Sequence, residues 1–584
     1  MKHRIFCSGT TPLAQFAAQE LDKYLCKMCA APIDYTFTLS EDDTFAPEEM
    51  AIAVNGGEVT LRAGKKGLLF AVYEFLERFC GCCFAAMEHP TVNTGEFVPH
   101  FEQLVLPETE YRHTPDLPYR TAIIQYNAWA GNADHGLNTA FFDWMAKNRY
   151  NRLLTWMSCY EKIKELGLLP QLEKRGISLT VGHHQAIFTF LPPFGSKDFS
   201  TKYCDEHPDY FRLKEDGTRY RPADLTDFDG QWLLCGRNEG CLQTVADNIL
   251  LWLEQNPLVD TIAFWPNDGK QEDCCCDECS PYSKTENYLY FNNELSKKIA
   301  RVRPDVKIDT LIYMDLWDCP RGTSLGDNMV VDIAMCTDTF RPYGKKDGSC
   351  LLGTTYEQTL NDYRAVCPNV VAYEYYMGNY SNLQKLVPAA DEMHSIFNFM
   401  KKKGICGSGT QIECFNHWNN LFNFYCFGRI ADNISIPLGE YLNGFCRIFG
   451  EGASMLKEII SMCEDVQEGQ VPINDAGVYL VEHIDKQRIY DLFDTALAEA
   501  TQPRQRNNIR MMRMAFRYSE LVSAETVPLE DNKKPTLYED KTGELAYMAT
   551  HFDSFFANHT GHGIAFPVAN RTDAPPPNKW YEFE

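Results

Sequence analysis

The feature that most constrains the fold is a series of short apolar segments in the middle of the chain. Each is rich in β-branched and aromatic residues, as buried parallel strands are, and each is followed by a helical or loop stretch. Eight such repeats within about 300 residues predict an α/β fold, a (β/α)8 TIM barrel with loop insertions. The segments are Arg120–Tyr126, Arg152–Trp156, Ile177–Val181, Thr261–Trp265, Lys307–Tyr313, Met329–Met335, Val370–Tyr375 and Ile405–Ile412.

The 584 residues are too many for one core, so we expect further domains on both sides of the barrel. Residues 1–115 alternate strand and helix patterns and predict an N-terminal α+β domain. Residues 119–420 would form the catalytic barrel, and residues 421–584 a C-terminal helical domain with a turn-rich tail. The prolines and charges of Pro107–Pro118 predict a linker.

Charge and cysteine content narrow the classes of function. A net charge of −25 opposes binding to nucleic acid and to anionic membranes, which attract clustered Lys and Arg. The N-terminus lacks the apolar core of a signal peptide, and the 23 cysteines favour a reducing compartment. We therefore expect a cytoplasmic protein whose partner is a small molecule. The sequence leaves open whether the chain forms a homo-oligomer.

Carboxyl groups follow several predicted strands, at the barrel end where catalytic residues lie. Cleavage of a glycosidic bond needs one carboxyl to protonate the leaving oxygen and a second group to assist the sugar. We expect Asp268, after the fourth strand, to be the acid, kept protonated by the apolar strand end, and Glu374 to be the second carboxylate. A plain turn at Asp268 is the alternative.

Other polar and aromatic side chains lie beside the predicted strand ends. Hydrogen bonding to sugar hydroxyls and stacking on pyranose faces would give them a substrate-binding role. Salt bridges, helix caps and core packing are the alternative explanations. The predicted substrate-binding residues are Asn267, His183, His184, Trp265, Tyr313, Asp315, Asp338, Tyr375, Glu413 and Trp418.

A cysteine cluster follows Asp268 directly. Cys274, Cys276 and Cys279 have the spacing C-x-C-x2-C, which allows three thiolates to bind one zinc ion, with Cys235 or Cys204 as the fourth ligand. A filled tetrahedron would make the zinc structural, so we expect no cofactor for catalysis. Free reduced thiols and a metal-dependent hydrolase that uses this cluster remain alternatives.

Several of these motifs occur together in a known family. The helix GLLFAVYEFLERFCGC, the HPDYF segment, the WPNDG strand end and the C-x-C-x2-C pattern resemble the DUF4838 barrel proteins. That family is similar to glycoside hydrolase family 163 and, more distantly, to the α-glucuronidases of family 67. The resemblance covers roughly residues 60–420. It implies an N-terminal domain like that of glucuronidases and hexosaminidases.

The resemblance also implies an activity and residue roles. It places Asp268 as the general acid, beside Asn267 in the position of an acetamido-contacting residue, with Glu374 as the second carboxylate. Asn267 departs from a strict substrate-assisted mechanism because it is not a carboxylate. We expect a glycoside hydrolase that removes a terminal β-N-acetylhexosaminide, as an N-acetylglucosaminidase does, from small imported oligosaccharides or glycoconjugates. The alternatives are α-glucuronidase-like release of a uronic acid and a non-catalytic saccharide-binding barrel.

Overall fold

The structure is a computed structural model of the chain. It describes residues 3–31, 33–88, 93–124, 135–191, 202–221, 234–269, 271–334, 356–376, 386–412, 418–467, 479–524 and 544. Within this part of the chain, no helix is both long enough and apolar enough to cross a membrane.

The N-terminal domain is a five-stranded mixed sheet with two helices packed on it. Its strand order is β1-β2-β4-β3-β7, and a separate two-stranded ribbon joins β5 to β6. Thr11 caps the first helix by accepting a hydrogen bond from the amide of Ala14. The elements are β1 Ile5–Cys7, α1 Pro12–Met28, β2 Thr36–Glu41, β3 Met50–Asn55, β4 Glu58–Ala63, α2 Leu68–Arg78, β5 Cys83–Phe84, β6 Glu96–Phe97 and β7 Thr109–His113.

The linker predicted over Pro107–Pro118 is wrong, because its middle forms strand β7. This strand pairs antiparallel with β3, from Met50 opposite His113 to Val54 opposite Thr109. It is an edge strand in which half-buried and exposed residues alternate. Edge strands are short and polar and tolerate flanking prolines, so composition alone did not distinguish β7 from a linker.

Eight parallel strands form a closed barrel, in which each strand pairs with the next and β15 pairs with β8. This confirms the predicted fold class and a strand at each of the eight predicted segments, with ends that differ by up to two residues. Gln125, Tyr126 and Met335 of those segments lie outside the described residues. The barrel strands are β8 Tyr119–Ile124, β9 Arg152–Trp156, β10 Ser178–Gly182, β11 Val259–Ala263, β12 Lys307–Ile312, β13 Met329–Ala334, β14 Val370–Glu374 and β15 Gly407–Gln411. The helices between them are α3 His135–Lys147, α4 Met157–Glu165, α5 Leu169–Glu173, α6 Ala186–Phe190, α7 Lys202–Glu206, α8 Glu239–Gln255, α9 Lys284–Ala300, α10 Tyr356–Val366 and α11 Ala390–Lys403.

Small residues close the barrel at the seam between β15 and β8. A Cβ atom on Gly407 would lie 2.1 Å from the carbonyl oxygen of Tyr119, and the residue has a φ of +153°. A Cβ on Gly409 would lie 2.8 Å from Cδ1 of Ile123. The glycines of β15 are therefore required for the last strand to approach the first.

The C-terminal helices share one hydrophobic core with the barrel. Every residue of the first of them, α12, is buried. The helices are α12 Leu421–Asp432, α13 Leu438–Cys446, α14 Ala453–Gln467, α15 Lys486–Glu499 and α16 Pro503–Ala524. The predicted turn-rich tail, which begins at His551, lies outside the described residues.

Buried ion pairs join the three parts of the chain. Arg149, just before β9, bonds Glu74 of α2 at 2.9 Å and Glu77 of α2 at 2.7 Å. Arg429 of α12 pairs with Glu77 as well, and Arg120 of β8 pairs with Glu48. These contacts fix the N-terminal domain against the barrel and the C-terminal helices. We call the residues that make them the interdomain ion pairs, namely Glu48, Glu74, Glu77, Arg120, Arg149 and Arg429.

Candidate active site

Aromatic and imidazole rings form a continuous series at the C-terminal end of the barrel. Trp156, the last residue of β9, stacks on His183 with a centroid distance of 4.5 Å, and His183 lies 4.4 Å from Trp265. Trp265 in turn lies 6.0 Å from Tyr373, which lies 4.9 Å from Tyr375. We call these five residues the mouth rings. They connect β9, β10, β11 and β14 at the end of the barrel where TIM-barrel active sites lie.

The predicted histidine pair is part of this arrangement. His184 is hydrogen-bonded through Nδ1 to the carbonyl oxygen of Pro266, and its ring lies 6.2 Å from that of Tyr313. Both histidines are buried. His183 has a φ of +61°, and Met314, directly after Tyr313, has a φ of +55°. Such backbone strain costs about 1–3 kcal/mol per residue and clusters at functional sites.

Two buried acids that the sequence analysis missed lie inside the barrel wall. Asp309 of β12 accepts a hydrogen bond of 2.8 Å from the indole nitrogen of Trp265. Asp332 lies on the neighbouring strand β13, and both carboxyls are almost fully buried. The signal was a single Asp inside each of the apolar runs KIDTLI and MVVDIA, where an acid needs a specific reason to be present.

These acids share an unfavourable environment for negative charge. Burial raises the pKa of Asp309 to about 7, although the Trp265 hydrogen bond and Arg152 act in the opposite direction. Burial, and then the nearby carboxyls of Asp309 and Glu374, raise the pKa of Asp332 well above its usual value. Glu374 is the last residue of β14 and is buried. Its neighbours in the sequence are Tyr373 and Tyr375. Asp309 and Asp332, on adjacent strands, therefore keep their protons to a higher pH than carboxyls in water do.

The predicted acid, Asp268, lies on the loop after β11. Asn267 beside it is fully buried, whereas Asp268 is exposed. The apolar setting expected for Asp268 is therefore wrong, because the residue is exposed to solvent on the loop. The Gln271 side chain braces this loop by donating to the carbonyl oxygens of Asn267 at 3.0 Å and of Gly269 at 2.7 Å.

The remaining predicted residues divide into three groups. Asp315 pairs with Lys284 and accepts a hydrogen bond of 3.1 Å from the amide of Gln271, which matches the salt-bridge alternative. Trp265 and Trp418 are fully buried and pack as core residues, whereas Tyr313 is only half-buried. Asp338 and Glu413 lie outside the described residues.

Four cysteines lie close together, and three of them are on the loop that carries Asp268. The Sγ atoms of Cys235, Cys274, Cys276 and Cys279 all lie within 4.8 Å of one another, and all four residues are buried. We call this group the four-cysteine cluster. It contains the three predicted C-x-C-x2-C residues and Cys235, the first of the two candidates for the fourth ligand. Cys275 lies outside it and is only partly buried.

This arrangement has the parts that acid–base chemistry on a sugar requires. Tyr313 and the two histidines carry hydrogen-bonding groups, and the mouth rings pack against one another as buried rings beside them. Burial raises the pKa of Asp309 to about 7, and Glu374 adds a further buried carboxyl. The described residues that line this mouth come from six of the eight strands or the loops after them.

Comparisons with known proteins agree with this architecture. No curated protein matches the chain. Among solved structures, the chain is similar to a GH138 enzyme targeting pectin rhamnogalacturonan II, with a TM-score of 0.56 and 12% identity, over 89% of this chain and 70% of that one. At this identity the likeness concerns the fold. A family model described as "Domain of unknown function (DUF4838)" matches residues 91–461, so the chain belongs to the DUF4838 family.

Proposed function

We propose that the protein is a glycoside hydrolase that removes a terminal sugar held at the C-terminal mouth of the barrel. The observation that carries the proposal is the set of carboxyls on β12, β13 and β14, next to the mouth rings. Burial raises the pKa of Asp309 to about 7 and that of Asp332 well above its usual value, so Glu374 lies beside carboxyls that resist ionisation. The similar solved structure is that of a GH138 enzyme targeting pectin rhamnogalacturonan II, which agrees with this reaction class.

The residue roles follow from position. Glu374, buried at the end of β14 between two tyrosines, is the carboxylate that assists the anomeric carbon. Asp268 is the proton donor to the leaving oxygen, because its loop projects from the strand end beside Asn267. A sugar seated in the mouth would exclude water from Asp268. Asp309 and Asp332 act as positioning residues behind Glu374.

For the substrate, we propose a β-N-acetylhexosaminide on a small imported oligosaccharide or glycoconjugate, cleaved in the cytoplasm. The amide of Asn267 is buried beside the acid, where an acetamido group would need a polar neighbour. Tyr313 and the histidine pair would contact the hydroxyls. A uronic acid is the alternative leaving sugar, and the same assay tests both.

The test is a panel of aryl β-N-acetylhexosaminides and aryl glucuronides, with wild type and three variants. Glu374→Gln and Asp268→Asn keep the side-chain shape, and each should lower kcat by about 10²–10⁴-fold, the usual contribution of a positioned acid or base. Asp273→Asn, at an exposed position on the same loop as Asp268, is the matched control and should keep wild-type kcat. Equal rates for all four proteins would refute the assignment.

A non-catalytic saccharide-binding barrel is the second candidate, and the exposed position of Asp268 favours it. If turnover has been lost, calorimetry should detect binding of a sugar from the panel, with no product after prolonged incubation. Tyr313→Ala should then weaken binding, because it removes a half-buried ring at the mouth. Release of the aryl group by wild type but not by Glu374→Gln would exclude this candidate.

A further inference from the structure

We propose that the four-cysteine cluster binds one zinc ion, and that this ion fastens the loop after β11 to the long insertion between β10 and α8. Cys235 belongs to that insertion, and Cys274, Cys276 and Cys279 belong to the loop. The proposal does not rest on the proposed glycosidase function, because metal binding is measured without any substrate.

The sulfur positions match a zinc tetrahedron. The Sγ atom of Cys235 lies 3.6 Å from that of Cys276 and 3.7 Å from that of Cys279, and the Sγ atoms of Cys274 and Cys276 are 3.6 Å apart. A Zn–S distance of about 2.3 Å gives a tetrahedral edge of about 3.8 Å. A disulfide would need about 2.05 Å between two sulfurs. The spacing therefore fits four thiolates around one ion and no disulfide.

Backbone amides point at these sulfurs. The amide of Leu213 donates to Sγ of Cys274 at 3.3 Å, and the amides of Cys276 and Arg237 bond Cys274 and Cys235. The Cys276–Cys279 segment forms a tight turn, closed by a bond of 3.1 Å from the amide of Cys279 to the carbonyl oxygen of Cys276. Donors aimed at sulfur stabilise a thiolate and orient it, as the outer shell of a metal site does.

The packing around the four-cysteine cluster is too small to hold the two segments together without a metal. Among the described residues, the cluster forms a small apolar group of its own, with Leu213 as the partly buried hydrophobic residue against it. Four buried cysteines without a core around them add little packing energy, whereas a structural zinc stabilises loops of this kind directly. All four ligands are thiolates, so the tetrahedron is filled and the ion has no open position for a substrate or a catalytic water. Binding releases the thiol protons to solvent.

The loop connects the cluster to the barrel mouth. Gln271, three residues before Cys274, holds Asn267 and Gly269 through its side chain. Glu272 pairs with Arg212, next to Leu213 in the insertion. Zinc at the cluster would therefore hold the Asn267–Asp268 strand end in place from a distance, as a positioning element.

The test compares two adjacent cysteines in the intact protein, purified anaerobically under reducing conditions. Wild type and Cys275→Ser should contain one zinc per chain by elemental analysis. Cys276→Ser should lose the metal or bind it much more weakly. Loss of an outer-shell partner lowers metal affinity by about 10–100-fold, and loss of a ligand should lower it further. The thermal unfolding temperature of Cys276→Ser should fall, while that of Cys275→Ser should not. Cys275 is the matched control because it lies in the same loop outside the cluster.

A second measurement covers the case in which Cys276→Ser does not fold. Wild type stripped of metal and reloaded with Co²⁺ alone should show the sulfur-to-cobalt charge-transfer bands and the strong visible bands of a tetrahedral thiolate site. Wild-type protein that stays metal-free after incubation with excess zinc and gives no such spectrum would overturn the proposal. So would mass-spectrometric detection of a disulfide among the four cysteines in the freshly purified protein, or equal metal content in Cys275→Ser and Cys276→Ser.

Discussion

Replacing Asp309 by Asn should change how the stability of the barrel depends on pH. The wild-type carboxyl is buried and has a pKa of about 7, against 3.8 for the same group in water. The folded protein therefore keeps the proton up to about pH 7, whereas the unfolded chain releases it near 3.8. Between these values the unfolded state binds fewer protons, so stability falls as pH rises. Asp309→Asn removes this dependence, since an amide does not titrate.

The magnitude follows from the pKa difference. One pKa unit corresponds to about 1.36 kcal/mol, so the full shift corresponds to about 4 kcal/mol of stability, lost by about pH 8. The pKa shift spans about three pH units, and about two of these lie above pH 5. The free energy of unfolding of the variant, relative to that of wild type, should therefore grow by about 3 kcal/mol between pH 5 and pH 8. The Asn side-chain oxygen still accepts the Trp265 hydrogen bond, so that contact is kept. The charge on Asp309 also raises the pKa of Asp332. Removing that charge makes ionisation of Asp332 less costly at high pH, which also favours the variant over wild type.

The assay is urea unfolding of both proteins at pH 5 and pH 8, followed by tryptophan fluorescence. Asp318→Asn is the control, because Asp318 is exposed on the loop after β12. Its difference from wild type should stay within about 0.5 kcal/mol at both pH values. If the difference between Asp309→Asn and wild type is the same at pH 5 and pH 8, the reasoning about burial in the barrel wall is refuted.

Three further substitutions test helix packing and the interdomain ion pairs. Gly428→Ala in α12 should lower stability by about 1–3 kcal/mol, because the added Cβ would lie 2.2 Å from the carbonyl oxygen of Asn148. Gly439→Ala in α13 is the matched opposite, with nothing within 4 Å of the added atom, and should raise stability by about 0.4–1 kcal/mol. Thermal unfolding checks both, and a lower melting temperature for Gly439→Ala would contradict the helix argument. Arg149→Met should cost about 3–5 kcal/mol, since it leaves the buried Glu74 without that partner, and unchanged urea unfolding would contradict this.

The sequence was sufficient for the barrel because its strands are buried on both faces. Runs such as Thr261–Trp265 and Val370–Tyr375 consist mostly of apolar and aromatic residues, and the number and spacing of such runs predict the topology without any contact information. The edge strand Thr109–His113 lacks this signal because it has a partner on one side only. Its residues alternate between half-buried and exposed, and such a polar segment is hard to distinguish from a loop by sequence.

The site was predictable in part, for a similar reason. Position after a strand correctly brought His183, His184 and Tyr313 together at one end of the barrel. It did not reveal whether a loop residue is buried or exposed, and so Asp268 was expected in an apolar setting that it does not occupy. Asp309 and Asp332 were overlooked because they lie within strands, where the direction of a side chain depends on the register of the closed barrel.

The ion pair between Glu77 and Arg429 has a consequence for how the protein is made. The two residues are separated by 352 positions in the chain. At a synthesis rate of about 5–20 residues per second, the arginine leaves the ribosome roughly 20–70 seconds after the glutamate. Arg149, the other interdomain partner of Glu77, follows it by only 72 positions. The pairing around Glu77 is therefore half complete early in synthesis, and its second cation arrives only with the last third of the polypeptide.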